Sequence, residues 1–159
     1  MESVISSLSG VVGGLNPVVQ FLAVFVIGIV PFLESHVGAL VGTLTGVPVV
    51  LAAIAAIGGN LLALAIATRA GGAVARRVAA RRTSGPSPRA EKVLAKVDRF
   101  GVPVACLLGP FVLATALSTF IMLSAGLDRR KVLTWQITAV VAWGIAFASI
   151  AFGTVNALS

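Results

Sequence analysis

The sequence predicts an all-α integral membrane protein, a single membrane domain over 1–159 built from two inverted repeats. Of its 159 residues, 58% are hydrophobic and only 11% are charged, whereas about 25% are charged in a typical soluble domain. The basic residues collect between long apolar blocks. Broken apolar segments occur in both halves of the chain, which is the sequence pattern of transporters with inverted repeats.

The distribution of charge predicts how the chain lies in the membrane. Nine of the twelve basic residues lie between Arg69 and Arg99, and the other three are Arg129, Arg130 and Lys131. Because these charges flank apolar blocks, they fit the positive-inside rule and indicate no nucleic-acid partner. The bias towards Arg, Ala, Val and Gly suggests a GC-rich bacterial source. We therefore expect a multi-pass protein of the bacterial inner (plasma) membrane, with both basic loops in the cytoplasm.

Four apolar segments predict the membrane elements. Residues 48–68 and 132–155 each reach the about 20 residues that a transmembrane helix needs. Residues 17–45 and 100–127 are too long for one untilted span and too short for two. We expect each of these two to form a re-entrant helical hairpin, but an ordinary span stays open, in which case residues 129–131 lie outside the cell.

Two prolines are the predicted helix breaks, because proline removes an amide donor and clashes with the preceding turn. Pro31 precedes Gly46, and Pro110 precedes Gly126, at nearly the same spacing. Each pair is followed by a long apolar span, so the two halves match at an offset of about half the chain. The expected parts are repeat 1 (about 15–68), a basic cytoplasmic connector (69–99) and repeat 2 (about 100–158).

The connector has its own predicted structure. Residues 69–82 extend the preceding helix, residues 83–88 break it, and residues 89–100 form an interfacial amphipathic helix. We expect this basic segment to be solvated and only to fix the orientation of the chain, and specific binding of phospholipids is the alternative.

The sequence carries no catalytic constellation. It has one His, one Cys and no closely spaced pair of acids, so we expect neither an enzyme, nor a cofactor, nor a metal site. Cys106 has no partner for a disulfide.

Glu34 is the strongest candidate for a functional residue. If the first hairpin forms, Glu34 lies at its tip, where an acid costs about 2.5–3.5 kcal/mol, and such residues usually bind protons or substrates. If 17–33 is a full span, Glu34 is only its hydrated end. His36 could share a proton with Glu34, although a single His in a loop is more often only hydrogen-bonded.

Uncharged polar residues complete the predicted substrate-binding or proton-binding site. Asn60 lies in the middle of a span, and Thr115 and Ser118 follow the second break. Their alternative role is polar contact between helices. Arg129 and Arg130 are candidates for binding anionic phospholipid headgroups, and Asp128 is expected to cap their helix. Gly38, Gly42 and Gly46 are expected to allow close packing, within the chain or in a homodimer.

Five segments, in their order and spacing, resemble the small multidrug export protein family, which is distantly similar to the DedA (SNARE-associated, VTT) membrane proteins. They are Pro31-Phe32-Leu33-Glu34, Gly59-Asn60-Leu61-Leu62, Asp98-Arg99-Phe100-Gly101, Gly109-Pro110-Phe111 and Ala125-Gly126-Leu127-Asp128-Arg129-Arg130-Lys131. The resemblance implies opposed re-entrant hairpins and a transport-like role, with Glu34 as the acidic position. Family members often carry a basic residue next to this acid, whereas Ser35 and His36 follow it here.

Two functions compete at this point. The first is a small transporter, proton-linked, that moves a small amphipathic molecule or a lipid carrier. The second is a non-transporting membrane subunit or scaffold that packs against a larger membrane complex. A titratable Glu34 at the middle of the membrane favours the first, and a solvent-exposed Glu34 with Gly38, Gly42 and Gly46 facing lipid favours the second.

Overall fold

The computed structural model describes residues 2–81 and 88–158, and all regular structure within them is helical. The described helices are α1 (Glu2–Gly13), α2 (Pro17–Ile29), α3 (Glu34–Leu44), α4 (Val49–Arg81), α5 (Pro88–Val112), α6 (Thr115–Ser124) and α7 (Arg129–Leu158). The predicted connector break at 83–88 lies almost wholly outside the described residues.

Two helices are long and apolar enough to cross a membrane. They are the 25-residue segment Val49–Ala73 of α4 and the 29-residue segment Arg129–Ala157 of α7. Within the most apolar 18-residue stretch of each segment, only 39% and 28% respectively is buried inside the protein. Most of the surface of both helices is therefore left for another apolar environment. The two predicted spans therefore form helices of sufficient length, and α4 continues beyond its predicted span to Arg81.

The first broken segment divides where the sequence indicates. Asn16 caps α2 by accepting a hydrogen bond from the Val19 amide at 3.1 Å, and Pro17 occupies the first turn. Val30 ends the helix in an extended conformation, and Pro31 follows in the turn before α3. This geometry follows from the chemistry, because a β-branched residue before proline is disfavoured in helical conformation.

The second break does not lie at Pro110. This proline is inside α5, which ends at Val112, and the chain leaves helical geometry at Leu113 and Ala114. The helix passes Pro110 because the preceding residue, Gly109, has no Cβ to clash with the proline ring. Helical bonding also resumes at once, since the Leu113 amide donates to the Gly109 carbonyl at 2.8 Å. The prediction that Pro110 itself breaks the helix was therefore wrong.

Gly101 interrupts the helical geometry of α5. Its φ of 76° and ψ of 165° are not helical and separate the basic part of α5 from the apolar part. The predicted connector helix over 89–100 is helical in the structure and ends at this residue.

The two halves of the chain repeat the same turn at corresponding positions. Gly46 and Gly126 have φ of 91° and 87°, and each lies between a short helix and a long one. The Val47 amide donates to the Gly42 carbonyl at 3.0 Å, and the Leu127 amide donates to the Met122 carbonyl at 3.1 Å. These are the bonds of a helix C-cap that requires a left-handed residue, which explains the glycine in both copies.

The long helices α4 and α7 bury the same stripe of positions. When the chain is aligned on itself so that Gly46 matches Gly126, buried positions of α4 match buried positions of α7. The pairs are Ala52 and Val132, Ala56 and Gln136, Gly59 and Ala139, Asn60 and Val140, Leu64 and Gly144, Thr68 and Ala148, and Gly71 and Ala151. The two helices therefore share a spacing of buried positions, while most paired side chains differ.

The chain forms two compact units. Unit 1 comprises Met1–Leu62 with Val140–Ser159, and unit 2 comprises Ala63–Ala139. Each unit thus contains one pair of helices joined by a break, together with part of α4 and part of α7.

Small residues bring the helices of unit 1 close together. A Cβ added to Gly28 or Gly59 would collide with backbone atoms of Ala56 or Phe25, and one added to Gly38 or Gly42 would meet alanine Cβ atoms at 2.9 Å. The packing predicted for Gly38 and Gly42 is thus observed inside unit 1. Gly46 has open space around it and serves the turn instead.

Candidate functional site

Glu34 is buried at the start of α3, in unit 1. Only 2% of its surface is exposed, and its φ of 52° lies in the left-handed region. Phe32, two residues earlier in the same turn, has a φ of 71°. Such backbone conformations cost about 1–3 kcal/mol for residues other than glycine and persist where the surrounding structure holds them. The fold therefore stabilises an unfavourable turn that carries its buried acid.

Ser35 connects this turn to the two long helices. Its hydroxyl donates to the carbonyl of Val140 on α7 at 2.9 Å, and Asn60 on α4 donates from Nδ2 to the Ser35 hydroxyl at 3.4 Å. All three residues are buried. Gly144 adjoins the serine, since an added Cβ there would lie 3.3 Å from the Ser35 Cβ. The polar start of α3 is thus held between α4 and α7 within unit 1.

His36 lies on the aromatic side of the same cluster. Its ring meets Phe147 edge-to-face at a centroid distance of 5.3 Å, and Phe147 meets Trp143 in the same way at 6.2 Å. Glu34, Ser35, His36 and Asn60 together form the acidic cluster of unit 1.

Unit 2 contains a second buried cluster, composed of uncharged groups. Ser118 and Thr119 both donate to the carbonyl of Thr115, at 3.0 and 2.8 Å. Gln136 on α7 donates from Nε2 to the Ser118 hydroxyl at 2.9 Å. These four residues, fully buried or nearly so, form the neutral cluster of unit 2.

The basic residues at the start of α7 lie at the surface. Asp128 accepts a hydrogen bond from the Lys131 amide at 2.7 Å, which is the predicted helix cap. Arg129, Arg130 and Lys131 are exposed. Their guanidinium and ammonium groups are therefore accessible to anions such as lipid headgroups.

The predicted site residues fall into two groups. Glu34, His36 and Asn60 lie in unit 1, with Asn60 bonded to Ser35, the residue between the other two. Thr115 and Ser118 lie in unit 2 and belong to one hydrogen-bonded cluster. Sequence reasoning missed Ser35 and Gln136. The available signal for Gln136 was that it is the single side-chain amide within the predicted span 132–155, as Asn60 is within its own span.

The described residues contain no group of three or more His, Cys, Asp or Glu side chains placed to hold a metal ion. Cys106 is fully buried in the apolar core of unit 2, beside Val102, Met122 and Val132.

Comparison with protein-family models, with curated proteins and with solved structures found no significant match.

Proposed function

We propose that the chain is an integral membrane protein of the bacterial inner membrane and that it moves a small amphipathic molecule or a lipid carrier in a proton-linked manner. The observation that carries the proposal is the burial of Glu34 in a strained turn between two apolar helices. An acid held away from water in such a place is expensive, and its usual use in membranes is to bind a proton or a substrate.

The arrangement in the bilayer is part of the proposal. The 13 residues of α2 and the 11 of α3 extend about 20 and 17 Å, which is short of the about 30 Å hydrocarbon core. A pair of such helices suits a re-entrant hairpin, and the matching pair, formed by the short apolar part of α5 from Gly101 to Phe111 and by α6, suits a second one that enters from the opposite face. Both basic segments would then be cytoplasmic, with Arg129 and Arg130 among anionic headgroups.

The positions of Glu34 and of two glycines favour this function over a non-transporting subunit. That alternative calls for an exposed Glu34 and for glycines that face lipid or a partner. Glu34 is instead buried, and Gly38 and Gly42 pack against Ala56 and Ala52 within unit 1. The resemblance to the small multidrug export and DedA proteins supports the same function. The proposal includes no enzymatic step.

The test is the substitution Glu34→Gln, which keeps size and hydrogen bonding and removes the charge. The protein would be reconstituted in phosphatidylethanolamine–phosphatidylglycerol vesicles. Three probes would be followed across a pH gradient: a fluorescent phosphatidylethanolamine for lipid movement, ethidium for an amphipathic cation, and trapped pyranine for protons. We expect the wild-type protein to move the lipid or ethidium in a pH-dependent way and Glu34→Gln to lose that dependence.

Glu2→Gln is the matched control, because Glu2 is exposed and undergoes the same chemical change. It should behave as wild type. Wild-type, pH-dependent movement by Glu34→Gln would end the proton-site proposal, and the subunit function would then be favoured.

A further inference from the structure

We propose that Gln136, together with Ser118 and Thr119, forms a binding site for an uncharged hydrogen-bond donor, such as a hydroxyl of a lipid headgroup or of a free polyol. The inference deepens the proposed function, on which it rests for its choice of lipid probe. It assigns the neutral cluster of unit 2 a role separate from that of Glu34.

The first argument is an unused acceptor. Gln136 is fully buried, and its Oε1 atom has no hydrogen-bond partner among the described residues. A buried polar atom left unsatisfied is costly, because it has given up its hydrogen bonds to water and gains none within the protein. Native proteins rarely retain such an atom without a use, and an incoming donor would satisfy it.

The second argument concerns the kind of hydrogen bond that Ser118, Thr119 and Gln136 can still make. Ser118 and Thr119 each have one hydroxyl proton, and both protons are directed at the Thr115 carbonyl. Ser118 also accepts from Gln136 Nε2. The hydroxyl oxygens of both residues and Gln136 Oε1 therefore remain as acceptors, so the cluster recognises groups that donate.

The third argument concerns charge and access. The neutral cluster contains no ionisable side chain, and the charged residues of unit 2 whose exposure is described, Arg69, Asp128, Arg129, Arg130 and Lys131, are exposed. A charged ligand group would be desolvated there without a counter-charge, which disfavours it. The chain leaves helical geometry at Leu113 and Ala114, directly before Thr115, and we place the ligand's way in at this break.

The experiment measures binding to the purified protein in detergent by the shift of its thermal unfolding temperature. The probes are dihexanoyl-phosphatidylglycerol, whose headgroup has two hydroxyls, dihexanoyl-phosphatidylpropanol, which has none, and free glycerol. We expect phosphatidylglycerol to bind about tenfold more tightly than phosphatidylpropanol, the value of roughly one hydrogen bond. Polyols such as glycerol stabilise proteins in general because they are excluded from the protein surface, so the glycerol effect is taken as the difference between the wild-type protein and Gln136→Leu. Such a difference without a preference between the lipids would assign the site to free polyols, and a preference for phosphatidylglycerol alone would assign it to headgroups.

Gln136→Leu should abolish this preference. The substitution removes the unsatisfied Oε1, which stabilises the protein, and also the hydrogen bond to Ser118, which destabilises it by a smaller amount. The ligand-free protein should therefore unfold at the same temperature as wild type or higher, whereas loss of a fully bonded glutamine would lower that temperature. Gln20→Leu is the matched control: Gln20 lies in unit 1, donates to the Val12 carbonyl at 3.2 Å, and should leave the preference intact.

Three results would overturn the inference. They are equal binding of the two lipids with the same glycerol effect in wild type and Gln136→Leu, no binding of any probe, and an unchanged preference in Gln136→Leu. None of them depends on movement across a membrane, so Glu34-dependent transport could still stand. Equally, a failure of transport would leave a measured preference at Gln136 in place.

Discussion

At the scale of single residues, two residues at the turn before α3 have unfavourable backbone conformations. Phe32 and Glu34 both lie in the left-handed region, at a cost of roughly 1–2 kcal/mol for each residue. Glu34 is buried and Phe32 is 57% exposed, so the side chain of Phe32 contributes less packing to offset that cost. The strain at Phe32 is therefore open to a direct test.

We predict that Phe32→Gly leaves the unfolding temperature unchanged or raises it. Glycine adopts a positive φ without strain, and this gain offsets the loss of the exposed ring. Phe111→Gly is the matched control, since Phe111 also follows a proline, is 54% exposed and lies in helical geometry. It should lower stability by up to about 1 kcal/mol. Equal losses in both variants, measured by thermal unfolding in detergent, would argue against strain at Phe32.

At the scale of helices, the ends were predicted better than the interiors. The break at Pro31 after Val30 and the Asp128 cap act through local chemistry, so the sequence predicts them directly. Gly46 was expected to allow close packing, and it serves a helix C-cap instead. The break near Pro110 depends on its neighbour Gly109, a local signal that sequence reasoning overlooked. Helix α1 had no long apolar run and was not predicted at all. It forms because Val12 is buried in the core of unit 1, a contact made by tertiary structure.

The two glycine turns give a prediction for helix ends. Gly46→Ala and Gly126→Ala should each destabilise the protein by about 1 kcal/mol, because an L residue is strained at these φ values. Neither site has an atom within 4 Å of an added Cβ, so a clash cannot explain the loss. Gly10→Ala and Gly153→Ala, in equally open space but within helices, should be neutral or stabilising. A loss in all four variants would contradict the turn argument.

The cap of α7 gives a second prediction at this scale. Asp128→Ala should cost about 1 kcal/mol of stability, since the Lys131 amide loses its acceptor. Asp128→Ser should restore most of that loss, because a serine hydroxyl can also cap. Thermal unfolding of the two variants would show whether the carboxylate acts as a cap; an unaltered Asp128→Ala would exclude it.

At the scale of the whole molecule, the sequence predicted helical structure and two long apolar helices, and the structure has both. The sequence did not predict which polar residues meet. The bond from Ser35 to Val140 joins residues 105 positions apart, and the partner is a backbone carbonyl, which has no sequence signature. The acidic cluster could therefore be predicted at Glu34, His36 and Asn60, but its connection to α7 required the structure.

Membrane topology is the prediction at this scale. With Cys106 replaced by alanine, single cysteines at Arg82 and Arg130 should both react with an impermeant maleimide only from the cytoplasmic side. A cysteine at Asn156 should react only from the other side, because most of the length of α7 separates it from position 130, about 40 Å along the helix axis. Labelling of position 130 from outside would support four ordinary spans and overturn the opposed hairpins.

The offset between the halves has a consequence for how such a chain can diverge. Gly38 approaches Ala56 in unit 1, and the corresponding positions of unit 2 are Ser118 and Gln136, which share a hydrogen bond. The corresponding contact between helices is thus made in unit 1 by two small residues that lie very close together, and in unit 2 by two polar residues that share a hydrogen bond. If an ancestral segment was duplicated, what both copies kept is the register of this contact, while its chemistry was free to change. Residue identity between the halves then fades long before their common architecture does.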